Sequence, residues 1–213
     1  SEELKILMSH ISQTQLGVYP VALNKHYASD IQLNVDNKNQ LFYLGGLYSD
    51  GKYNSPKGLF FTSFDPSLKA NTVSHFTSVS SQLSGANDLR DYRLRQMNIK
   101  EDGGVEFAAE KYFQNVRTIT SMNPTLTMGF MTVPEQTRTV NEFFYDEVVV
   151  FNLKPDGLLG WSQTILKQQQ SSDDAGIYSS IGILNHSSGH AYFFADINTR
   201  QPRLMVAYMA NNS

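Results

Sequence analysis

The side chains best suited to chemistry lie in polar stretches between apolar runs. Asp88, Arg90 and Asp91 fall within Ser80–Asp91, Arg117 and Arg138 within Gln114–Asn141, and Asp173 and Asp174 within Gln168–Gly176. Carboxylates and guanidinium groups on long connections form a binding face when the connections emerge at one end of a rigid scaffold. The plainer role of each is a solvated group on a turn. Asp173-Asp174 has the oxygen chemistry for Ca²⁺ but lacks the DxDxDG spacing that brings further ligands. His186-Ser187-Ser188-Gly189-His190 sets two imidazoles at one hairpin tip. Zinc needs more ligands than that, and neither HExxH nor a cysteine pair is present. Glu142, Asp146 and Glu147 bring to mind the paired carboxylates of glycosidases. Adjacent residues of a strand face opposite sides, however, so Asp146 and Glu147 do not form such a pair. No GxSxG elbow, phosphate cradle or dinucleotide fingerprint occurs. The sequence therefore names no catalytic residue, metal or cofactor. The candidate binding residues are Asp88, Arg90, Arg117, Arg138, Asp173 and Asp174.

Composition narrows the classes. The 213 residues are 40% hydrophobic, enough for a true core. A formal charge of −3 and a pI near 5.9 give no footprint for nucleic acid. Apolar runs are far shorter than a membrane span, so no membrane insertion is expected. Cysteine is absent, which excludes disulfides and thiolate chemistry. The chain starts at Ser1 without Met and reads as processed or trimmed. Abundant Asn, Ser, Thr, Gln and aromatic residues fit a β-rich, turn-rich, exported protein: periplasmic, outer-membrane-associated or extracellular.

The elements that must position the candidates follow from alternation and turn residues. Ser1–Gln13 supports two readings: an amphipathic helix on Leu4, Leu7, Met8 and Ile11, or a strand through Leu4–Met8. Ile31–Val35 and Leu41–Tyr48 form a hairpin about Asn37–Gln40. Gly58–Phe64 is a third strand and Val73–Val79 a fourth. Arg93–Ile99, a turn at Lys100–Gly104 and Val105–Phe113 repeat the theme. Gln114–Asn141 is a long Thr- and Met-rich connection. Val148–Leu153, the Lys154-Pro155-Asp156-Gly157 turn and Trp161–Leu166 resume it. Ile181–Leu184, Ala191–Ala195 and Leu204–Met209 begin a third copy, which stops short of a fourth strand. In register, Tyr43 falls on Phe107, Val148–Leu153 on Leu59–Phe64, and Pro155 on Pro66. Phe60-Phe61 and Phe193-Phe194 read as strands buried on both faces.

The expected fold class is all-β and antiparallel, with propeller-like repeats of three- to four-stranded units; a β-sandwich is the alternative. Residues 1–28 form an N-terminal segment and residues 29–213 a repeat-containing β domain, in the form of a piece of a longer protein.

Tyr145-Asp146, then VVVFNLKPDG, Trp161, Ile165, Lys167, Gln169, Asp174 and Ser180 resemble a pattern in uncharacterised, exported β-propeller-like proteins of bacteria. The resemblance covers about the last third of the chain. The first copy departs from it: Thr72 stands where Trp161 would, and Asp65-Pro66-Ser67 replaces Pro-Asp-Gly. The resemblance carries no catalytic residue with it. The expected function is a non-enzymatic interaction module of the bacterial cell envelope that binds protein or glycan. The alternative is a carbohydrate-active enzyme with Glu142, Asp146 or Asp174 as its carboxylates.

Overall fold

Two turns of the same chemistry close two of the hairpins. In Lys100-Glu101-Asp102-Gly103 and Lys154-Pro155-Asp156-Gly157, the glycine N–H donates to the lysine carbonyl, at 3.0 and 2.8 Å. The lysine N–H donates across the hairpin to Gly104 and Leu158, at 2.9 Å in both. The aspartate carboxylate accepts from the N–H two residues on, again at 2.9 Å. The glycines sit at φ +87° and +84°, where a side chain is strained.

The computed structural model describes residues 5–11, 16–65, 73–83, 88–122, 125–127, 130–132, 135–196 and 201–210. Residues 5–11, 16–19, 122, 125–127, 130–132 and 135 are described by backbone alone. The strands in chain order are β1 Lys5–Ile11, β2 Leu16–Ala22, β3 Tyr27–Asp36, β4 Leu41–Ser49, β5 Gly58–Phe64 and β6 Ser74–Ser78. Then come β7 Tyr92–Ile99, β8 Val105–Met122, β9 Thr125–Thr127, β10 Phe130–Thr132 and β11 Glu135–Leu153. β12 Leu159–Ile165, β13 Gln169–Ser172, β14 Gly182–His186, β15 Gly189–Asp196 and β16 Arg203–Ala210 complete the order. Among the described residues no α-helix forms; one 3-10 turn spans Ser80–Gln82. The chain is all-β, and β1–β2, β3–β4–β5–β6, β9–β10, β11–β12, β11–β13 and β14–β15–β16 pair antiparallel.

The chain divides into two compact units: Ser1–Glu110 with Val148–Ile165, and Lys111–Glu147 with Leu166–Ser213. The long strands β8 and β11 contribute to both.

In the first unit, β1 and β2 form a hairpin that pairs Lys5 with Ala22 and Ile11 with Leu16. Of the two readings of the N-terminal stretch, the strand holds from Lys5. Leu7, Met8 and Ile11 have helical spacing, but a neighbouring strand supplies the hydrogen bonds that an isolated short helix cannot secure. β3-β4-β5-β6 is a four-stranded meander, and β7, β8, β11 and β12 are neighbours in the order β12-β11-β8-β7. The meanders pack through one core. Tyr43, Leu47, Leu59 and Phe61 of the first meet Leu94, Met97, Val105, Phe107, Phe151 and Leu153 of the second. The proposed equivalence of Tyr43 with Phe107 therefore joins two residues of one core. β5 and the end of β11, each the third strand of its meander, are buried almost throughout. Phe60 and Phe61 divide as adjacent strand residues must. Phe61 enters the shared core, while Phe60 packs with Leu23, Tyr48 and Phe76 on the other face.

In the second unit, β14-β15-β16 is a three-stranded meander, and β13 pairs with β11 from Glu142 to Tyr145. Phe193 and Phe194 are half-buried there, less covered than a strand enclosed on both faces. Two stretches expected as connections are in fact strand. Gln114–Asn141 is occupied in its described part by the continuation of β8 to Met122, by β9 and β10, and by the start of β11. Gln168–Gly176 contains β13. Polar, Thr-rich composition reads as loop, yet Thr is a good strand former when both faces meet water. Pro66 and Thr72, used to compare the copies, lie outside the described residues.

A Cβ on Gly157 would lie 2.5 Å from Cβ of His75, and its φ disfavours a side chain. We expect Gly157→Ala to lower unfolding free energy by ~1–2 kcal/mol, measured by urea denaturation. A neutral result would mean that this turn relaxes without cost.

Candidate functional site

The groups able to do chemistry in the second unit are organised by a buried lysine. Lys167 lies just after Ile165, where the chain turns towards β13, and is only 9% exposed. Its ammonium donates to the carbonyl of Tyr145 at 3.0 Å, Oε1 of Gln169 at 2.9 Å and the carbonyl of Ser179 at 3.2 Å. It also lies 5.6 Å from the centroid of the Tyr145 ring, which in turn leans on Tyr112. A sealed ammonium is tolerated only when its protons are met by acceptors. Here those acceptors come from β11, from β13 and from the turn before β14. Gln169, 1% exposed, uses its amide to reach the carbonyl of Ala195 on β15 at 2.6 Å. The cluster thus ties the 166–169 segment to β15 and leaves a pocket of ≈ 190 Å³ edged by Leu166, Phe194, Asp196 and Met205.

Asp173 and Asp174 occupy the turn beside this cluster. Asp173 accepts from the Asn141 N–H at 2.9 Å and from Arg138 at 2.6 Å. These bonds hold its carboxyl below the usual range, the backbone N–H first and Arg138 next. Asp174 accepts from Ser171, from Gly176 N–H and from Tyr178 N–H, at 2.7, 2.9 and 3.2 Å. Burial pushes its carboxyl up, but the bonds together bring it below the ordinary value. Both aspartates therefore serve the turn with the oxygens that calcium would require. Among the described residues no group of three or more His, Cys, Asp or Glu side chains gathers for a metal.

Arg117 pairs with Glu142 at 3.1 Å, and Asn115 donates to the same carboxylate at 3.2 Å. Glu142, a carboxylate of the enzymatic alternative, is thereby buried and neutralised. Arg117, Arg138, Asp173 and Asp174 are brought together in this unit. Asp88 and Arg90 belong to the other one, where Asp88 accepts from Arg90 N–H at 3.0 Å and Arg90 Nε donates to Ser55 at 2.9 Å. Leu89 between them is fully buried and anchors the loop. Also in the first unit, Asp50 binds His26 at 3.1 Å and Lys57, and the His26 ring packs on Tyr48 and Phe76. The lysine bond is the main reason that the Asp50 carboxyl sits below its ordinary range. His186 and His190 bond to Ser188 and Asn185, at 2.9 and 3.0 Å, and burial lowers His190.

Asp146 is the exception to this pairing. Its Oδ1 is sealed from water without a hydrogen-bond partner among the described residues. Burial raises its carboxyl, the charge of Lys111 draws it back, Glu147 raises it further and Lys167 lowers it. Neighbouring Glu147 turns instead to Lys111 at 3.5 Å.

Beyond the β13 pairing, β8 and β11 run on as a ribbon exposed on both faces. Residues 113–121 and 136–139 are all exposed. Phe113 stacks on Phe144 at 4.6 Å, nearly parallel, at the foot of the ribbon. Val116 is 60% and Ile119 39% exposed, interleaved with Thr118, Thr120 and Ser121. Sequence reasoning missed both the ribbon and the lysine's organising part. A signal for the ribbon was present: Tyr112-Phe113 and Phe144-Tyr145 mirror one another, as cross-strand partners of a long hairpin do.

No family model, curated protein or solved structure matches this chain.

Two outcomes are expected. Lys167→Met leaves its acceptors unmet and costs ~2–4 kcal/mol in urea denaturation; a loss below ~0.5 kcal/mol would show that the cluster is dispensable. For Asp146, the folded state holds the proton more tightly than the unfolded chain. Stability contributed by the protonated form is therefore lost as pH rises from about 4 towards the folded value. Asp146→Asn removes that loss, so its melting midpoint should gain on the parent between about pH 4 and 7. A constant difference across that range would refute the assignment.

Proposed function

We propose that this chain is a non-enzymatic binding module of the bacterial cell envelope, periplasmic, outer-membrane-associated or extracellular, and that it binds protein or glycan. The observation that carries this reading is the exposed ribbon of β8 and β11. Isolated two-stranded hairpins are marginal in water. One that leaves Val116 and Ile119 uncovered spends stability that a partner restores. The hydroxyls of Thr118, Thr120 and Ser121 beside them supply hydrogen bonds to a glycan or a backbone, while Arg117 and Arg138 stand along the same strands. The best-placed charged groups, by contrast, close upon one another or upon turn amides, which suits a scaffold more than turnover. The meanders support a propeller-like architecture, in line with the resemblance to exported β-propeller-like proteins. Among the described residues no helix is long and apolar enough to cross a membrane. Asp88 and Arg90 belong to the candidate binding set through their own loop.

The test combines a glycan array, with and without Ca²⁺, and photocrosslinking from a benzoylphenylalanine placed at Val116 in producing cells. A glycan bound by the parent should bind at least tenfold more weakly to the Val116→Asp, Ile119→Asp double variant, equivalent to ~1.4 kcal/mol. Its melting midpoint should remain within about 2 °C, as for other surface substitutions. A protein ligand should instead appear as a discrete crosslinked species. Silence in both assays, or undiminished glycan binding by the variant, would overturn the assignment to the ribbon.

A further inference from the structure

We propose that the ligand of the ribbon is an uncharged glycan chain, laid along one face of it. This rests on the binding reading above and names the face and the ligand class.

The first argument is register. Tyr112 leans on Tyr145 at 4.8 Å, Phe113 stacks on Phe144 at 4.6 Å, and Asn115 donates to Glu142 at 3.2 Å. Each step forward along β8 is matched by one step back along β11, its neighbour in the sheet. β9 and β10 keep the same count, with Thr125 across from Thr132. Thr118 therefore lies across from Thr139, and Thr120 across from Thr137. Strand alternation puts these four threonines on one face, together with Val116. The diagonal bond from Gln114 to Asn141, at 3.4 Å, belongs to the same face. Half-buried Tyr112 stands at its foot.

The second argument is the distribution of charge. By the same alternation Arg117, Ile119 and Arg138 occupy the opposite face. There Arg117 pairs with Glu142 at 3.1 Å and Arg138 with Asp173 at 2.6 Å. From Tyr112 to Thr120 and from Thr137 to Tyr145, the threonine face carries no Asp, Glu, Lys, Arg or His. Its four threonines are exposed, and Val116 is 60% exposed.

That chemistry selects the ligand. A charged ligand would lose hydration on this face and find no counter-charge. A purely apolar partner would strand hydroxyls and amides. An extended peptide gains its affinity at a strand edge rather than on a face. Threonine hydroxyls and the Gln114 and Asn141 amides both donate and accept, as sugar hydroxyls do. Opposed threonines stand ~5 Å apart across the ribbon and successive ones ~7 Å apart along it. β-Branching leaves their side chains few rotamers, so the ladder is ordered before the ligand arrives. The threonine methyls and Val116 meet the C–H faces of the sugar rings between these bonds.

The experiment measures fluorescence anisotropy of labelled hexasaccharides with the whole chain. Neutral cellohexaose, maltohexaose, laminarihexaose and chitohexaose are set against anionic hexagalacturonate and cationic hexaglucosamine. Saturable binding of at least one neutral chain is expected, about tenfold or more tighter than either charged one. Val116→Asp should weaken it about tenfold, whereas Ile119→Asp, on the other face, should leave it within about twofold. Thr118→Val with Thr139→Val keeps shape and strand propensity but removes two hydroxyls, and should weaken binding roughly fivefold at an unchanged melting midpoint. A charged hexasaccharide bound as tightly, indifference to Val116→Asp or to the threonine pair, or no neutral chain bound would overturn the proposal. Sensitivity to Ile119→Asp alone would also overturn it, yet would leave the ribbon as the binding site. A protein crosslinked at Val116 while every hexasaccharide stays silent would overturn it and leave the protein-binding reading standing. Sedimentation showing a dimer that Val116→Asp separates would assign the face to a second copy and overturn it as well.

Discussion

A buried ammonium must be surrounded by oxygen, and in the second unit that requirement organises the fold. Lys167 leaves water only because carbonyls of Tyr145 and Ser179 and the amide oxygen of Gln169 converge on it. Each acceptor comes from a different part of the chain, so the lysine fixes β11, the start of β13 and the turn before β14 together. Gln169 passes the constraint to β15 through the carbonyl of Ala195. Leaving any one of these groups unmet costs more than the bond itself contributes. These bonds place Lys167 and Gln169 in the wall of the pocket beside β15 and β16.

The first unit rests on a different constraint, the burial of central strands from both sides. A β-strand enclosed on both faces needs apolar residues at successive positions, and β5 and the end of β11 have them. Glu110, fully buried in side chain, meets Arg95 at 3.2 Å. The tight Lys-x-Asp-Gly turns hold the strands in register at the edge of this core, because a slip of one residue would turn every side chain to the wrong face. A sheet built this way leaves little freedom for catalytic groups in its interior.

The comparison of candidate residues shows how readily charge in a sequence can be mistaken for chemistry. Asp173 and Asp174 look like ligands when read along the chain, because nothing in one dimension shows that the backbone N–H groups of Asn141, Gly176 and Tyr178 await them. Asp196 drew no attention in the sequence, being one aspartate after an apolar strand. Its setting is decided by the fold, which places it across from Arg203 and at the pocket that Lys167 and Gln169 also line. A carboxylate's availability is a property of its surroundings.

The sequence by itself determined the all-β class, most strand positions and the hairpin turns. These depend on alternation and on the local needs of glycine and aspartate in turns, both written within a few residues of one another. It also showed that Phe60 and Phe61 serve opposite faces, since strand geometry admits no other arrangement. It did not show that Gln114–Asn141 is largely ribbon, because pairing over so long a separation leaves only faint marks, such as the mirrored Tyr112-Phe113 and Phe144-Tyr145. Only the tertiary structure decided that Lys167 is a buried hub, that Glu142 is paired with Arg117 and that β16 is the last strand of its sheet among the described residues. Each of these depends on what residues distant in the chain bring into hydrogen-bonding or charge contact, and solvation at such a point is set in three dimensions.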